Sequence, residues 1–258
     1  MVSYRSSAIS TTHPGTVTIA PRVRTIPRAG PDRHGPPGRE IVTGDGPTIL
    51  FQDQRFVVLD KPAGLAVHAG PSGGSSVEDW FKLLSRRKDG PWLAHRLDAD
   101  TAGCLVIALR HTPLLAAQAA FASGTVRKTY WAVVRGKISG DSGTITAPLR
   151  RISNSRGWQM IVDERSGQPA ITDWQVLGRE GATTWLELRP RTGRTHQIRV
   201  HCAMLGTPII GDERYGIAGG GLHLLARAIH LPLDPPVDAT AAPPPHMRAA
   251  LAACGFHL

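Results

Sequence analysis

Cysteine is scarce: the 258 residues include three, Cys104, Cys202 and Cys254, far apart and without a C-x-x-C pair. That spacing argues against both a zinc site and a disulfide framework. It leaves Cys104 and Cys202 as small apolar core residues in a reducing, cytoplasmic compartment. No apolar run approaches the roughly 18 residues of a membrane span, so no membrane association is expected. Residues 1–44 lack the apolar stretch of an ordinary secretory signal. Neither a Walker A sequence nor a dinucleotide fingerprint leading into a helix is present, which excludes a nucleotide cofactor. The pair His196 and His201 lacks the i, i+4 spacing and the Glu of a zinc-protease helix, so no metal is expected either. No internal repeat is visible.

Acidic residues are also in deficit, 20 Asp and Glu against 30 Lys and Arg, for a net charge of +10. Such a balance suits a polyanionic partner, because cations that neutralise phosphates release counterions and attract nucleic acid from a distance. The hydrophobic share of 41%, thinned by 28 Gly and 21 Pro, is that of a soluble globular protein. The length allows one large domain with a tail.

Residues 1–44 are the tail. They are rich in Pro, Gly, Ser, Thr and Arg and show no hydrophobic periodicity. Six arginines (Arg5, Arg22, Arg24, Arg28, Arg33, Arg39) face only Asp32 and Glu40. Such a segment buries too little apolar surface to offset its ordering entropy and is expected to be disordered. An RNA-touching arm and a non-functional tail fit it equally.

Residues 45–258 form the expected folded domain. Ile49–Gln52 and Phe56–Leu59 read as strands around Asp53-Gln54. Pro71-Ser72-Gly73-Gly74 reads as a mobile loop. Ser76 and Asp79 resemble a capping box, and Val77, Trp80, Phe81 and Leu84 make one apolar face of a helix. The run 104–109 is a buried strand. A second helix has Thr112 as its cap, Pro113 in its first turn and Gly124 at its close. Val126–Val134, Thr144–Ala147, Trp158–Val162, Ile171–Leu177 and Thr183–Leu188 read as strands. A third helix begins at Thr195, buries Ile198, Cys202 and Leu205, and ends at Gly206. Leu222–Leu225 and Ile229–Leu233 are the final strands. The Pro-rich stretch 232–245 breaks regular structure before a short helix at 247–254. This order predicts an α+β domain on a mixed, mainly antiparallel sheet.

Chemistry concentrates in two blocks. In His95-Arg96-Leu97-Asp98 a carboxylate follows an arginine at the edge of a turn leading into the buried strand. Cleaving and remaking a glycosidic bond needs a carboxylate near the sugar, and a neighbouring arginine favours the charged form of such a group. An Asp that merely buttresses the turn fits this motif equally well. The second block is Thr192-Gly193-Arg194-Thr195-His196-Gln197-Ile198-Arg199-Val200-His201. Arg199 lies one residue, about 100°, past the apolar face of its helix, at the border where it could meet Asp98. Arg194 and His196 lie near the helix N-terminus, where backbone N–H groups favour phosphate. Tyr130 alternates with Lys128 along a strand, a pattern commoner for half-buried strand residues than for catalysts.

These blocks, in this order, resemble the RluA family of pseudouridine synthases, in a short form without an S4 domain. Val58 to His68 is similar to the family's first motif, His95 to Asp98 to its catalytic motif. Arg127 to Gly136 resembles the segment carrying its active-site tyrosine, Thr192 to His201 its third motif; Gly211 to Gly216 follows. The resemblance implies the pseudouridine synthase fold, a mixed sheet with a central catalytic cleft. It implies that Asp98 is the nucleophile, that Arg199 pairs with it and that Tyr130 is the active-site tyrosine, placed for proton transfer in a glycal route; attack on the sugar, attack on the base and a glycal route all stay open. Arg96 takes the place of a flipped uridine, and His95, Lys61, Lys128, Arg194 and His196 are further expected RNA contacts. No metal or organic cofactor is implied. The expected partner is an rRNA or tRNA stem-loop, met by a monomer, since RNA is read by shape and by splayed bases. Ala102 stands where the family often has Ser, and Leu225 where a His is common. Two other readings make different predictions. A non-catalytic RNA chaperone is indifferent to Asp98→Asn, and a nucleoside hydrolase needs a second carboxylate and releases free uracil.

Overall fold

The computed structural model describes residues 46–70, 73–155 and 157–257. The disorder expected for residues 1–44, and half of the expected mobile loop (Pro71 and Ser72), lie outside them.

The chain begins with a hairpin, β1 (Ile49–Gln52) and β2 (Phe56–Lys61). Its turn is closed by the Asp53 carboxylate, which accepts the N–H groups of Arg55 at 2.7 Å and Phe56 at 2.6 Å. A 3-10 turn (Val77–Trp80) leads into the short α1 (Phe81–Leu84). There the Asp79 carboxylate accepts the Ser76 N–H at 2.8 Å. Then come β3 (Trp92–Leu93), the fully buried β4 (Ala102–Ala108) and α2 (His111–Ala122). β5 (Arg127–Arg135) and β6 (Ser142–Thr146) follow, then β7 (Leu149–Asn154) and β8 (Gly157–Val162). β9 (Ile171–Glu180), β10 (Thr183–Pro190) and α3 (Gln197–Met204) come next. The chain ends with β11 (Leu224–Leu231), β12 (Val237–Thr240) and α4 (Pro245–Ala253).

The main sheet runs β1-β2-β4-β11-β5-β10-β9-β6, with β3 added to β4 and β12 to β11; β7 and β8 form a separate hairpin. Every pairing is antiparallel except β4 with β11. That seam is parallel and only two residues deep, Ala102 with Leu225 and Gly103 with Ala226. It joins β1, β2 and β4 to the rest of the sheet. Gly103 is required there: its φ is +106°, and a Cβ would lie 2.3 Å from the Ala226 carbonyl oxygen. The expected mixed, mainly antiparallel α+β sheet is therefore present.

Period-2 alternation sends β5 side chains to two cores. Trp131 and Val133 pack with α2 and α4 through Leu114, Met247 and Leu251. Ala132 and Val134 face Ile198 and Cys202 of α3. Tyr130 touches this second core and also a third around Leu59, Leu97 and Leu105, so it stands where the halves meet.

Four local expectations change. The two final strands are one, β11, carried through by a bulge between Ala226 and Ala228. The Pro-rich stretch holds a strand after all: in β12 Val237 and Ala239 point inward and Asp238 and Thr240 outward. β7 was not expected, and it forms because β8 supplies its ladder. Thr112 is inside α2, whose cap is the extended Arg110.

Candidate active site

The chain leaves β3 through Ala94, whose N–H bonds the Val106 carbonyl at 3.1 Å. One residue later the backbone turns away, and the His95 ring takes over: its Nε2 accepts the Val106 N–H at 3.0 Å. The ring packs on Phe121 with centroids 4.8 Å apart, and desolvation pulls its pKa down to about 4. His95, expected among the RNA contacts, is thus committed to holding the exit of the loop.

Arg96 next to it is exposed, Leu97 is buried, and Asp98 is half-buried. The Thr101 N–H bonds the Asp98 carbonyl at 3.1 Å and closes the turn. Beneath lies Lys61, 0% exposed. Its Nζ donates to the carbonyls of Pro62 at 2.7 Å, Leu65 at 2.8 Å and Ala99 at 2.7 Å. Desolvation lowers its pKa to about 7 against the pull of Asp100 and Asp98. Lys61 is therefore no RNA contact: three carbonyls, one of them next to Asp98, consume its donors.

β5 brings Tyr130 to the same place. Burial, and then the charge of Asp98, push its hydroxyl pKa up. Two residues earlier Lys128 reaches the Thr192 carbonyl at 3.4 Å, and burial lowers its pKa.

The opposite bank is α3. It starts at Gln197, two residues later than expected, because His196 takes a left-handed conformation (φ 51°) that no helix continues through. Gln197 anchors the turn before it. Its Oε1 accepts from Thr192 Oγ1 at 2.7 Å and the Arg194 N–H at 3.0 Å. Its Nε2 donates to the Ile171 carbonyl and Thr172 Oγ1. His201, whose pKa burial lowers to about 4, completes the bond to β9 through Thr172 Oγ1 at 2.9 Å.

Held in this way, α3 buries Arg199 rather than leaving it at the helix border; it is 5% exposed. Its Nε and Nη2 each reach an oxygen of Asp212 at 2.8 Å. Its Nη1 donates to Asp98 Oδ2 at 3.3 Å. Burial disfavours the guanidinium charge, but Asp212 and then Asp98 outweigh it and raise the pKa. Asp212 is fully buried and also accepts the N–H groups of Arg214 and Tyr215, both at 3.0 Å. Desolvation opposes its charge, yet Arg199 and these N–H groups hold its pKa below the ordinary carboxylate value.

His196 Nε2 lies 3.7 Å from the same Asp98 oxygen. Desolvation, set against Asp98 and reinforced by Arg199 and Arg214, lowers its pKa. Arg194 is exposed and lines an open groove of about 340 Å³ with Arg150 and Arg151. The cleft thus collects Asp98, Arg199, His196 and Tyr130. Arg96, Lys128 and Arg194 flank it, and Lys61 and His95 lie under it.

One carboxylate oxygen, Oδ2, faces a guanidinium and an imidazole, while Oδ1 has no hydrogen-bond partner among the described residues. Such a group can attack an electrophilic carbon with Oδ1 while Oδ2 stays fixed. No cluster of three or more His, Cys, Asp or Glu that could hold a metal occurs among the described residues. None of their helices is long and apolar enough to cross a membrane.

Residues 55–204 match the RNA pseudouridylate synthase family. The chain belongs to that family. An uncharacterised RNA pseudouridine synthase of Zymomonas mobilis is 40% identical over 171 residues, 65% of this chain and 78% of that protein. The ribosomal large subunit pseudouridine synthase C of Yersinia pestis is 35% identical over 69% of this chain and 58% of its own length. The structure of human RNA pseudouridylate synthase domain containing 4 superposes with a TM-score of 0.69 at 28% identity, covering 82% of this chain and 94% of that one. The expected RluA-type assignment is met, and the pseudouridine synthase fold with it.

Within the family frame, two residues carry weight that the sequence reading did not give them. Asp212 and Tyr215 sit in the noticed segment Gly211 to Gly216, but without assigned roles. A carboxylate between Gly211 and the aromatic Tyr215 was the available signal; that it would be buried under Arg199 was not.

Proposed function

We propose that this pseudouridylate synthase isomerises uridine within structured RNA to pseudouridine, with Asp98 as nucleophile. The carboxylate forms a transient bond as the N1–ribose bond breaks, the uracil rotates, and its C5 bonds the ribose carbon as the carboxylate is released; C5 then loses its proton and N1 gains one, so the isomerisation balances without a cofactor. Arg199 holds one oxygen of the carboxylate, and Tyr130 is the neighbouring proton-transfer group. Arg96, exposed at the loop tip, fills the place of the flipped nucleotide. The observation that carries this reading is the Asp98 carboxylate itself, fixed by Arg199 through Oδ2 and, among the described residues, unbonded at Oδ1. The names of the relatives favour ribosomal RNA as the partner, and the exposed Arg194 beside the cleft suits a phosphate backbone. The continuous sheet supports residues 45–258 as one catalytic domain.

The test is pseudouridine mapping, by chemical labelling and sequencing, of total RNA from cells with and without the gene. Sites absent in the deletion should return with the wild type and not with Asp98→Asn. Restoration by Asp98→Asn would overturn the proposal.

A further inference from the structure

We infer that His196 is held as its Nε2–H tautomer by Tyr215 and offers that N–H, beside Asp98, to an acceptor oxygen of the bound nucleotide. This rests on the function proposed above. Four observations lead to it.

His196 is the one non-glycine residue with positive φ among the described residues. A conformation of this kind costs on the order of 1–3 kcal/mol and persists where the surroundings enforce it. What it achieves is to aim the ring into the cleft. The ring lies against the Trp158 indole, centroids 5.0 Å apart and 32° from parallel. It meets Tyr215 edge-on at 5.5 Å. Trp158 is itself flanked by the guanidinium groups of Arg151 at 4.6 Å and Arg214 at 4.9 Å. The imidazole has little freedom to turn.

Its tautomer follows from the hydrogen bonds. Tyr215 Oη accepts the backbone N–H of Met160 at 3.0 Å, and that N–H can only donate. The hydroxyl proton is therefore free, and the His196 Nδ1 stands 2.8 Å away. Tyr215 is 7% exposed, and among the described residues its hydroxyl meets no other acceptor, so a proton directed elsewhere would go largely unmet. If the hydroxyl donates to Nδ1, the neutral ring carries its proton on Nε2.

That proton points towards Asp98 Oδ2, but across 3.7 Å, beyond a hydrogen bond of ordinary length. The donor is aimed at the carboxylate's surroundings without being consumed by it. A nucleotide oxygen lodged beside the two, at the mouth of this gap, would receive this N–H. The side chain of His196 is 9% exposed, so the bond would form in a largely dry site, where it discriminates most. Tyr215 acts through His196, as a positioning residue, and the Met160 N–H makes its preference depend on seating of the β7–β8 hairpin.

Nitrogen-15 spectra of histidine-labelled full-length protein at neutral pH read the tautomer without a variant and without substrate. The expected signature for His196 is a protonated Nε2 and an unprotonated Nδ1. The opposite tautomer, or a doubly protonated ring, would overturn the inference. In Tyr215→Phe the two forms should mix, and an unchanged spectrum would remove Tyr215 from the account.

Kinetics on rRNA and tRNA extracted from the deletion strain supply the second arm. Glutamine places an amide N–H near the position of Nε2, whereas asparagine places one near Nδ1. His196→Gln should therefore exceed His196→Asn by about tenfold in kcat/KM, the worth of one hydrogen bond. A purely conformational role of the left-handed residue predicts the reverse, because Asn tolerates that region best. Asn equal to or better than Gln would sink the donor role. Loss of the parent reading appears separately, as activity surviving Asp98→Asn, and leaves the tautomer measurement standing.

Discussion

On one bank of the cleft the Asp98 loop rests on Lys61, whose ammonium meets three backbone carbonyls. On the other, Arg199 rests on Asp212, whose carboxylate meets a guanidinium and two N–H groups. Both supports are buried charges, and both have lowered pKa values, yet the shifts have opposite meanings. For Lys61 a lowered pKa means that its charge is disfavoured; dipoles do not replace a counter-ion. For Asp212 it means that its charge is favoured, because a full opposite charge lies in contact. One bank therefore rests on a support that titrates near neutrality, the other on a support that stays ionised into acid.

The largest effect should come from Asp212→Asn, which leaves the buried Arg199 with only its longer, 3.3 Å bond to the Asp98 carboxylate. Breaking such a pair costs about 3–5 kcal/mol, to be read from urea unfolding at pH 7. The charged carboxylate contributes its stability fully above the unfolded value of 3.8 and loses it as pH falls through the lower folded value. The deficit of the variant should therefore shrink below pH 3.8; a deficit independent of pH would show that charge is not the cause.

Next is Lys61→Met, which strands three carbonyls. One or more buried acceptors left unmet cost about 2–3 kcal/mol. The unfolded chain keeps this proton up to 10.5 while the folded chain releases it at about 7, so the wild type gains stability as pH rises between the two. The gap between wild type and variant should widen across that interval. A constant gap would erase the contrast between the banks.

The smallest effect belongs to Arg194→Ala, since this side chain is exposed and uses only Nε, on the Pro169 carbonyl. RNA affinity should fall several-fold, and the slope of log K against log salt should flatten by about 0.7 if one phosphate contact is lost. Filter binding over a salt series measures both, and an unchanged slope would remove Arg194 from the RNA interface.

The same contrast explains what could be read without coordinates. Asp98, Tyr130 and Arg199 stand in local patterns whose order along the chain carries the family resemblance, and these are residues that the structure brings together. Their supports were not legible in this way. A lysine at a strand end reads as a surface charge, and the acceptors that bury Lys61 lie 1, 4 and 38 residues away. Asp212 sits 13 residues beyond Arg199, off the helix, with no periodicity to link them. The strands with strong alternation, β5 and β10, were found nearly whole. β7 (Leu-Arg-Arg-Ile-Ser-Asn) has too little apolar pattern to be seen without its ladder partner. β11 was split in two because Arg227 interrupts its apolar run, and only the neighbouring strands reveal a bulge there.

β11 also sets a timetable. The Asp98 loop and β4 are complete when the first 108 residues exist, yet β4 reaches the remainder of the sheet only through Leu225 and Ala226. A chain growing from its N-terminus carries Asp98, then Tyr130 and then Arg199 before the strand that joins their two halves has been made. Domains fold as units once their last partner emerges, and here that partner is the next-to-last strand. Nascent chains shorter than about 231 residues lack this seam whatever motifs they already contain, so the two banks are joined in one step, by β11, rather than gradually with chain length.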